Sequence, residues 1–175
     1  MNIVTLCTGN VARSVMLAYM LTTLAEVDGL DWQIRSAGTH VIEGSAMSSR
    51  TRDALLGVSD LGEHRYGAHR SHQLTIEDVT WADVIVTSEA NHVHFVRTNF
   101  PNGTLKSVLL QQFLREAPRD ASFDEQLGVV AVREPSKFFD VDDPAGGDQE
   151  TYDACARDLW AMAKDFRAMA GGECT

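Results

Sequence analysis

Asn2-Ile3-Val4-Thr5-Leu6-Cys7-Thr8-Gly9-Asn10-Val11-Ala12-Arg13-Ser14, followed at once by an apolar run from Val15 to Val27, is the stretch that decides the fold. Ile3 and Val4 are β-branched and turn residues follow promptly, so Asn2 to Leu6 reads as a short buried strand. A helix from about Ser14 carries Leu17, Met20, Leu21, Leu24 and Val27 at spacings of three and four, and Asp28-Gly29 ends it. The loop between them ends at a helix N-terminus, where unpaired N–H groups converge and the helix dipole is positive. Such a place attracts anions.

Each loop residue suits that task. Cys7 lies beside a guanidinium and a helix N-terminus, a setting that favours the attacking thiolate. Arg13, six positions on, lets the loop curl and lays a planar fork against two oxygens of a tetrahedral oxyanion, a match lysine cannot make. Gly9 removes a Cβ where backbone must approach a ligand, and Asn10 tolerates positive φ. Ser14 can donate a hydroxyl to the thiolate. Taken alone, a cysteine at a strand end is commonly just a small packed apolar residue. The placement between strand and helix, with Gly, Asn and Ser also in position, turns the pair into a candidate oxyanion-binding nucleophile.

Cys7-Thr8-Gly9-Asn10-Val11-Ala12-Arg13-Ser14 resembles the N-terminal phosphate loop of the low-molecular-weight protein tyrosine phosphatases. Ser36-Ala37-Gly38-Thr39, His69 followed by Gln73-Leu74-Thr75, and Asp143-Pro144 agree with that family in order and spacing. The resemblance implies a thiolate attack by Cys7, with Arg13 and the backbone of Thr8, Gly9, Asn10, Val11, Ala12 and Ser14 binding the phosphoryl oxygens. It implies further that Asp143 protonates the leaving group, with Asp142 its nearest competitor, and that Ser36 and His69 brace the loop from behind. Phosphorylated protein or a small phosphomonoester is the expected partner and inorganic phosphate the product. No metal or organic cofactor is implied.

The chain also departs from the family. Val41-Ile42 and Ala145-Gly146-Gly147 stand where aromatic cleft walls are usual, which weakens phosphotyrosine as the substrate. Val11 points the other way, since arginine phosphatases of this type carry threonine there. Ala12 replaces the usual second loop cysteine, so Cys7 has no neighbour to shelter it as a disulfide. His72 stands where arginine is usual. Arsenate reductases on the same scaffold that use an external thiol are the runner-up, and a non-catalytic phosphate-binding module is a third reading.

At 175 residues, 44% hydrophobic and with four prolines, the chain suits one domain spanning 1–175. The net charge of −10 argues against nucleic acid or an anionic membrane as main partner. Cys7, Cys155 and Cys174 form neither a disulfide framework nor a zinc cluster, and no segment reaches the roughly 18 to 20 apolar residues of a membrane span. A cytoplasmic protein is expected, its oligomeric state undetermined.

Further strands are expected at Trp32–Ser36, Ala82–Thr87 and Leu105–Leu110, helices at about 48–58, 89–99 and 148–169, and a short helix opened by a capping box at Thr75-Ile76-Glu77-Asp78. Strands alternating with helices at these lengths imply an α/β fold, a doubly wound four-stranded parallel sheet with helices on both faces. The segment 111–139 is elongated relative to the family and carries a possible short helix at Phe123 to Val132; it reads as surface elaboration or as a cover for the site. Of the histidines, His64, His72, His92 and His94 read as surface or hydrogen-bonded structural groups. Cys155 falls on the core face of the last helix, and Cys174 on a frayed tail.

Overall fold

The structure is a computed structural model that describes residues 1–62 and 64–171. Cys174 lies outside the described residues. The opening strand β1 (Asn2–Cys7) is central: Ile3 packs into one apolar layer, Val4 and Leu6 into the other. That alternation is the period of two that a strand covered on both faces shows once its neighbours are known. β1 pairs in parallel with β2 (Gln33–Gly38) on one side and β3 (Val84–Thr87) on the other, and β4 (Ser107–Leu109) pairs with β3. The order is β2-β1-β3-β4, all parallel.

One layer holds α1 (Arg13–Asp28), α2 (Ser49–Leu56), α5 (Leu110–Glu116), α6 (Phe123–Ala131) and the long α7 (Gln149–Ala170). The other holds α3 (Ile76–Trp81) and α4 (Ala90–Asn99). The chain leaves β1 toward β2 and returns across β1 to reach β3, so the winding reverses between β1 and β3. Ligand crevices of open α/β sheets form at that reversal, beyond the carboxyl ends of the strands.

Local chemistry sets the helix limits. Ser48, Thr75, Ser122 and Asp148 each accept the N–H three residues on, and Thr75/Asp78 and Ser122/Glu125 close full capping boxes. Gly29, at φ 65°, ends α1. The long α7 buries Tyr152, Cys155, Leu159 and Phe166 as its spacing predicts.

Three expectations need correction. Val27 is 77% exposed, because the core stripe of α1 is carried by Val15, Met16, Leu17, Met20 and Leu21 in the turns that lie between the sheet and α7. The last strand is only Ser107–Leu109: Leu105 belongs to a 3-10 stretch over Pro101–Lys106, and Leu110 already starts α5. The segment 111–139 is mostly helical and is built into the core. Phe113 and Phe123 each meet Phe166 of α7, with ring centroids 5.7 and 5.9 Å apart.

Candidate active site

The loop from Thr8 to Ala12 leaves the carboxyl end of β1, and its carbonyls are turned outward. Thr39 N–H donates to Cys7 O at 3.0 Å, His40 N–H to Thr8 O at 2.9 Å, and Met16 N–H to Ala12 O at 2.8 Å. The Thr51 hydroxyl and Ser48 N–H both donate to Val11 O. His69 Nε2 donates to Asn10 O at 2.8 Å. With the carbonyls of Thr8, Asn10, Val11 and Ala12 spent on the scaffold, the N–H groups of Thr8 through Arg13 donate to no other protein group among the described residues. α1 also lacks a side-chain cap at Ala12. These unspent donors make an anion cradle.

Asn10 is the hinge of the curl. Its φ of 52° is the only positive value at a non-glycine residue among the described residues. The strain is held by three bonds: Asn10 Oδ1 accepts from His72 N–H at 2.9 Å, its carbonyl accepts from His69, and its Nδ2 donates to Ser14 Oγ at 3.0 Å. Because Ser14 Oγ accepts from Asn10, its proton is free to point at Cys7 Sγ, 3.0 Å away. His69 is held below the ordinary histidine range, first by burial and then by nearby Arg70, against the bond to Asn10. It is therefore the uncharged donor at neutral pH.

Arg13 is 1% exposed, and both of its terminal nitrogens are paired. Nη1 meets Glu89 Oε1 at 2.5 Å and donates to Val141 O at 2.9 Å, while Nη2 meets Asp143 Oδ2 at 2.8 Å. Asp143 is brought to the loop by a tether two residues upstream: Val141 N–H donates to Ser88 O, and Asp140 Oδ1 accepts from Ala90 N–H at the start of α4. The Asp143 carboxylate is 44% exposed and accepts from Ala145 N–H, whereas the Asp142 carboxylate contacts neither Arg13 nor the loop. Among the described residues no group of three or more His, Cys, Asp or Glu side chains is arranged to hold a metal ion.

The structure thus brings Cys7, Arg13, Ser14, Asn10, His69 and Asp143 together. It does not bring Ser36. That residue pairs with Thr5 inside the sheet, and its hydroxyl makes no bond to the loop. The neighbouring glycine makes the contact instead: a Cβ on Gly38 would lie 2.5 Å from Thr8 O and 2.4 Å from a Val41 methyl, so the loop rests directly on backbone. His72 contributes through its N–H; its ring bonds Asp78 and Glu43, and these carboxylates hold it above the ordinary range despite partial burial.

Two further residues stand at the site: Glu89, which the sequence did not single out, and His92, which is the hydrogen-bonded structural histidine expected but buried against the loop. Both follow β3 as the phosphate loop follows β1, so the signal that locates the loop, a strand end followed by a helix start, also marks the turn from β3 into α4. Ile42 is 82% exposed, and Thr8, Thr39, His40, Glu89, His92 and Phe95 border a groove of about 410 Å³ beside the loop.

A family model described as low molecular weight phosphotyrosine protein phosphatase matches residues 2–125, a span that ends before Asp143. A protein-arginine-phosphatase of Geobacillus stearothermophilus is 30% identical over 155 residues, covering 87% of this chain and 84% of that protein. One from Bacillus subtilis is 27% identical over 114 residues, 65% of this chain and 73% of its own. Among solved structures, a low molecular weight protein tyrosine phosphatase from T. tengcongensis superposes with a TM-score of 0.76 at 24% identity, covering 95% and 97% of the two chains. The Geobacillus stearothermophilus arginine phosphatase superposes at 0.72 and 28% identity, covering 94% and 89%.

Proposed function

We propose that this chain, which belongs to the low molecular weight phosphotyrosine protein phosphatase family, hydrolyses phosphorylated protein side chains through a phosphoryl-cysteine intermediate on Cys7. The observation that carries the reading is the convergence of three groups: unspent N–H donors from Thr8 to Arg13, a thiol facing the Ser14 hydroxyl, and Asp143 docked on Arg13. The Cys7 thiolate attacks phosphorus, forming an S–P bond as the bond to the leaving oxygen breaks. Asp143 gives that oxygen its proton. A water then attacks phosphorus, Asp143 takes its proton, the S–P bond breaks, and inorganic phosphate departs. The loop N–H groups and the Arg13 fork stabilise the equatorial oxygens in both steps.

Phosphotyrosine is the first side chain to test, because the apolar Val11 forms part of the loop. A second reading, phosphoarginine, is favoured by a separate observation. The mouth has no aromatic wall at 41–42 or 145–147, while the carboxylates of Glu89 and Asp143 stand at Arg13, a setting that suits a cationic leaving group. The two relatives named above as protein-arginine-phosphatases support it as well.

The test is a comparison of kcat/KM on para-nitrophenyl phosphate, a phosphotyrosine peptide and a phosphoarginine peptide, with arsenate plus an external thiol as a further arm. Cys7→Ser should lower every phosphatase rate about a thousandfold or more while inorganic phosphate still binds. Near-normal turnover by Cys7→Ser overturns the mechanism, and the ratio of the two peptide rates decides the substrate.

A further inference from the structure

His92 is 3% exposed and lies on the first turn of α4, against the phosphate loop. Its two ring nitrogens have different partners. Glu89 N–H donates to Nδ1 at 3.1 Å, so Nδ1 carries no proton. The remaining proton is on Nε2, which lies 3.0 Å from Thr8 Oγ1 and donates to it. Thr8 is the first of the residues whose N–H groups are unspent, and Arg13 is the last. Arg13 is gripped by the carboxylate of Glu89, the same residue whose N–H sets the His92 tautomer.

We propose that His92 is a positioning residue of the phosphate loop: as the Nε2–H tautomer it ties Thr8 to the first turn of α4, which through Glu89 also holds Arg13. Both ends of the anion cradle are then set by one element that is not part of the loop. The His40 N–H bond to Thr8 O fixes the Thr8 peptide from the β2 side, and the His92 bond fixes its side chain from the α4 side. With two anchors, the N–H groups of Thr8 and Gly9 keep one orientation before the oxyanion arrives, which is what preorganised donors require. Burial agrees with this arrangement: it pushes the His92 ring down to about 4, with Arg13 and His40 acting in the same sense and Glu89 and Asp143 opposing.

The inference rests on the reading of the loop as an oxyanion site, and its test is a binding measurement that needs no turnover. The variants are His92→Asn, Thr8→Val and the double variant, each in the Cys7→Ser background, titrated with inorganic phosphate. An asparagine oxygen can still accept from Glu89 N–H, as the short side chain of Asp78 does from Thr75 N–H in α3, but cannot reach Thr8. Each single variant should weaken phosphate binding about fivefold, as expected for one buried hydrogen bond, and the double variant should be no weaker than either. Unchanged binding by His92→Asn, or a double variant whose loss is the product of the two, overturns the proposal. Nitrogen-15 spectra of the unmutated ring at pH 7 should show a protonated Nε2 and an unprotonated Nδ1; the opposite tautomer or an imidazolium overturns it without any variant. Failure of all phosphate binding in Cys7→Ser itself would instead count against the parent reading.

Discussion

Asp143 and Asp142 differ by one position in sequence and by their entire surroundings in space. Asp143 faces Arg13 at 2.8 Å and is held by Ala145 N–H; Asp142 has neither contact. Asp143→Ala should therefore lower kcat on phenyl or alkyl phosphates about a hundredfold or more, and much less on para-nitrophenyl phosphate, whose anion leaves without a proton. A rate series across leaving groups of rising basicity checks this, and a flat series would return Asp142 to consideration. Cys155 is a different case. Burial first of all pushes its thiol up to about 12, with Asp143, Asp158 and Asp142 adding to the effect and Arg13 opposing. At neutral pH it should alkylate far more slowly than Cys7 in an iodoacetamide time course read by peptide mass.

At the scale of elements, the phosphate loop is supported mainly by backbone. The end of β2 delivers Gly38, Thr39 and His40 directly beneath Cys7 and Thr8. Gly38→Ala places a methyl group where only the Thr8 carbonyl and a Val41 methyl fit. It should cost about 2 kcal/mol and weaken phosphate binding as well, seen in a urea midpoint and a phosphate titration. The first turn of α4 has a matching role on the opposite side. The β2 contribution depends on no polar side chain that a motif would display, which explains why Ser36 was the expected brace and Gly38 the one observed.

At the scale of the molecule, pH and charge are the measurable handles. The His92 ring takes up its proton near pH 4 in the folded chain and near 6.5 when unfolded. Between those values the unfolded state binds more protons, so this group makes stability rise with pH and removes it as pH falls from about 6.5 to about 4. Thermal midpoints across that range should follow this slope in the unmutated chain, and His92→Asn should flatten it. The net charge of −10 and the carboxylates at the mouth should favour phosphopeptides flanked by Lys or Arg over those flanked by Asp or Glu. That preference should shrink between low salt and about 0.5 M salt, because exposed charges are screened over a few ångströms there.

The sequence by itself determined the strand-loop-helix that opens the chain, the alternating pattern behind the parallel sheet, and the positions of Cys7, Arg13 and Asp143. These are legible because periodicity and turn chemistry are local, and because a phosphate loop is a continuous segment. What only the tertiary structure decided lies across sequence gaps. Glu89 grips Arg13 from 76 residues away, Val141 reaches it from 128, and His92 meets Thr8 from 84. The sheet order β2-β1-β3-β4 sets those distances by placing the ends of β1 and β3 side by side. No local pattern encodes which strand will be the neighbour. The loop's capacity to hold an anion was therefore readable from thirteen consecutive residues, while the element that orients it could be found only once the chain had folded.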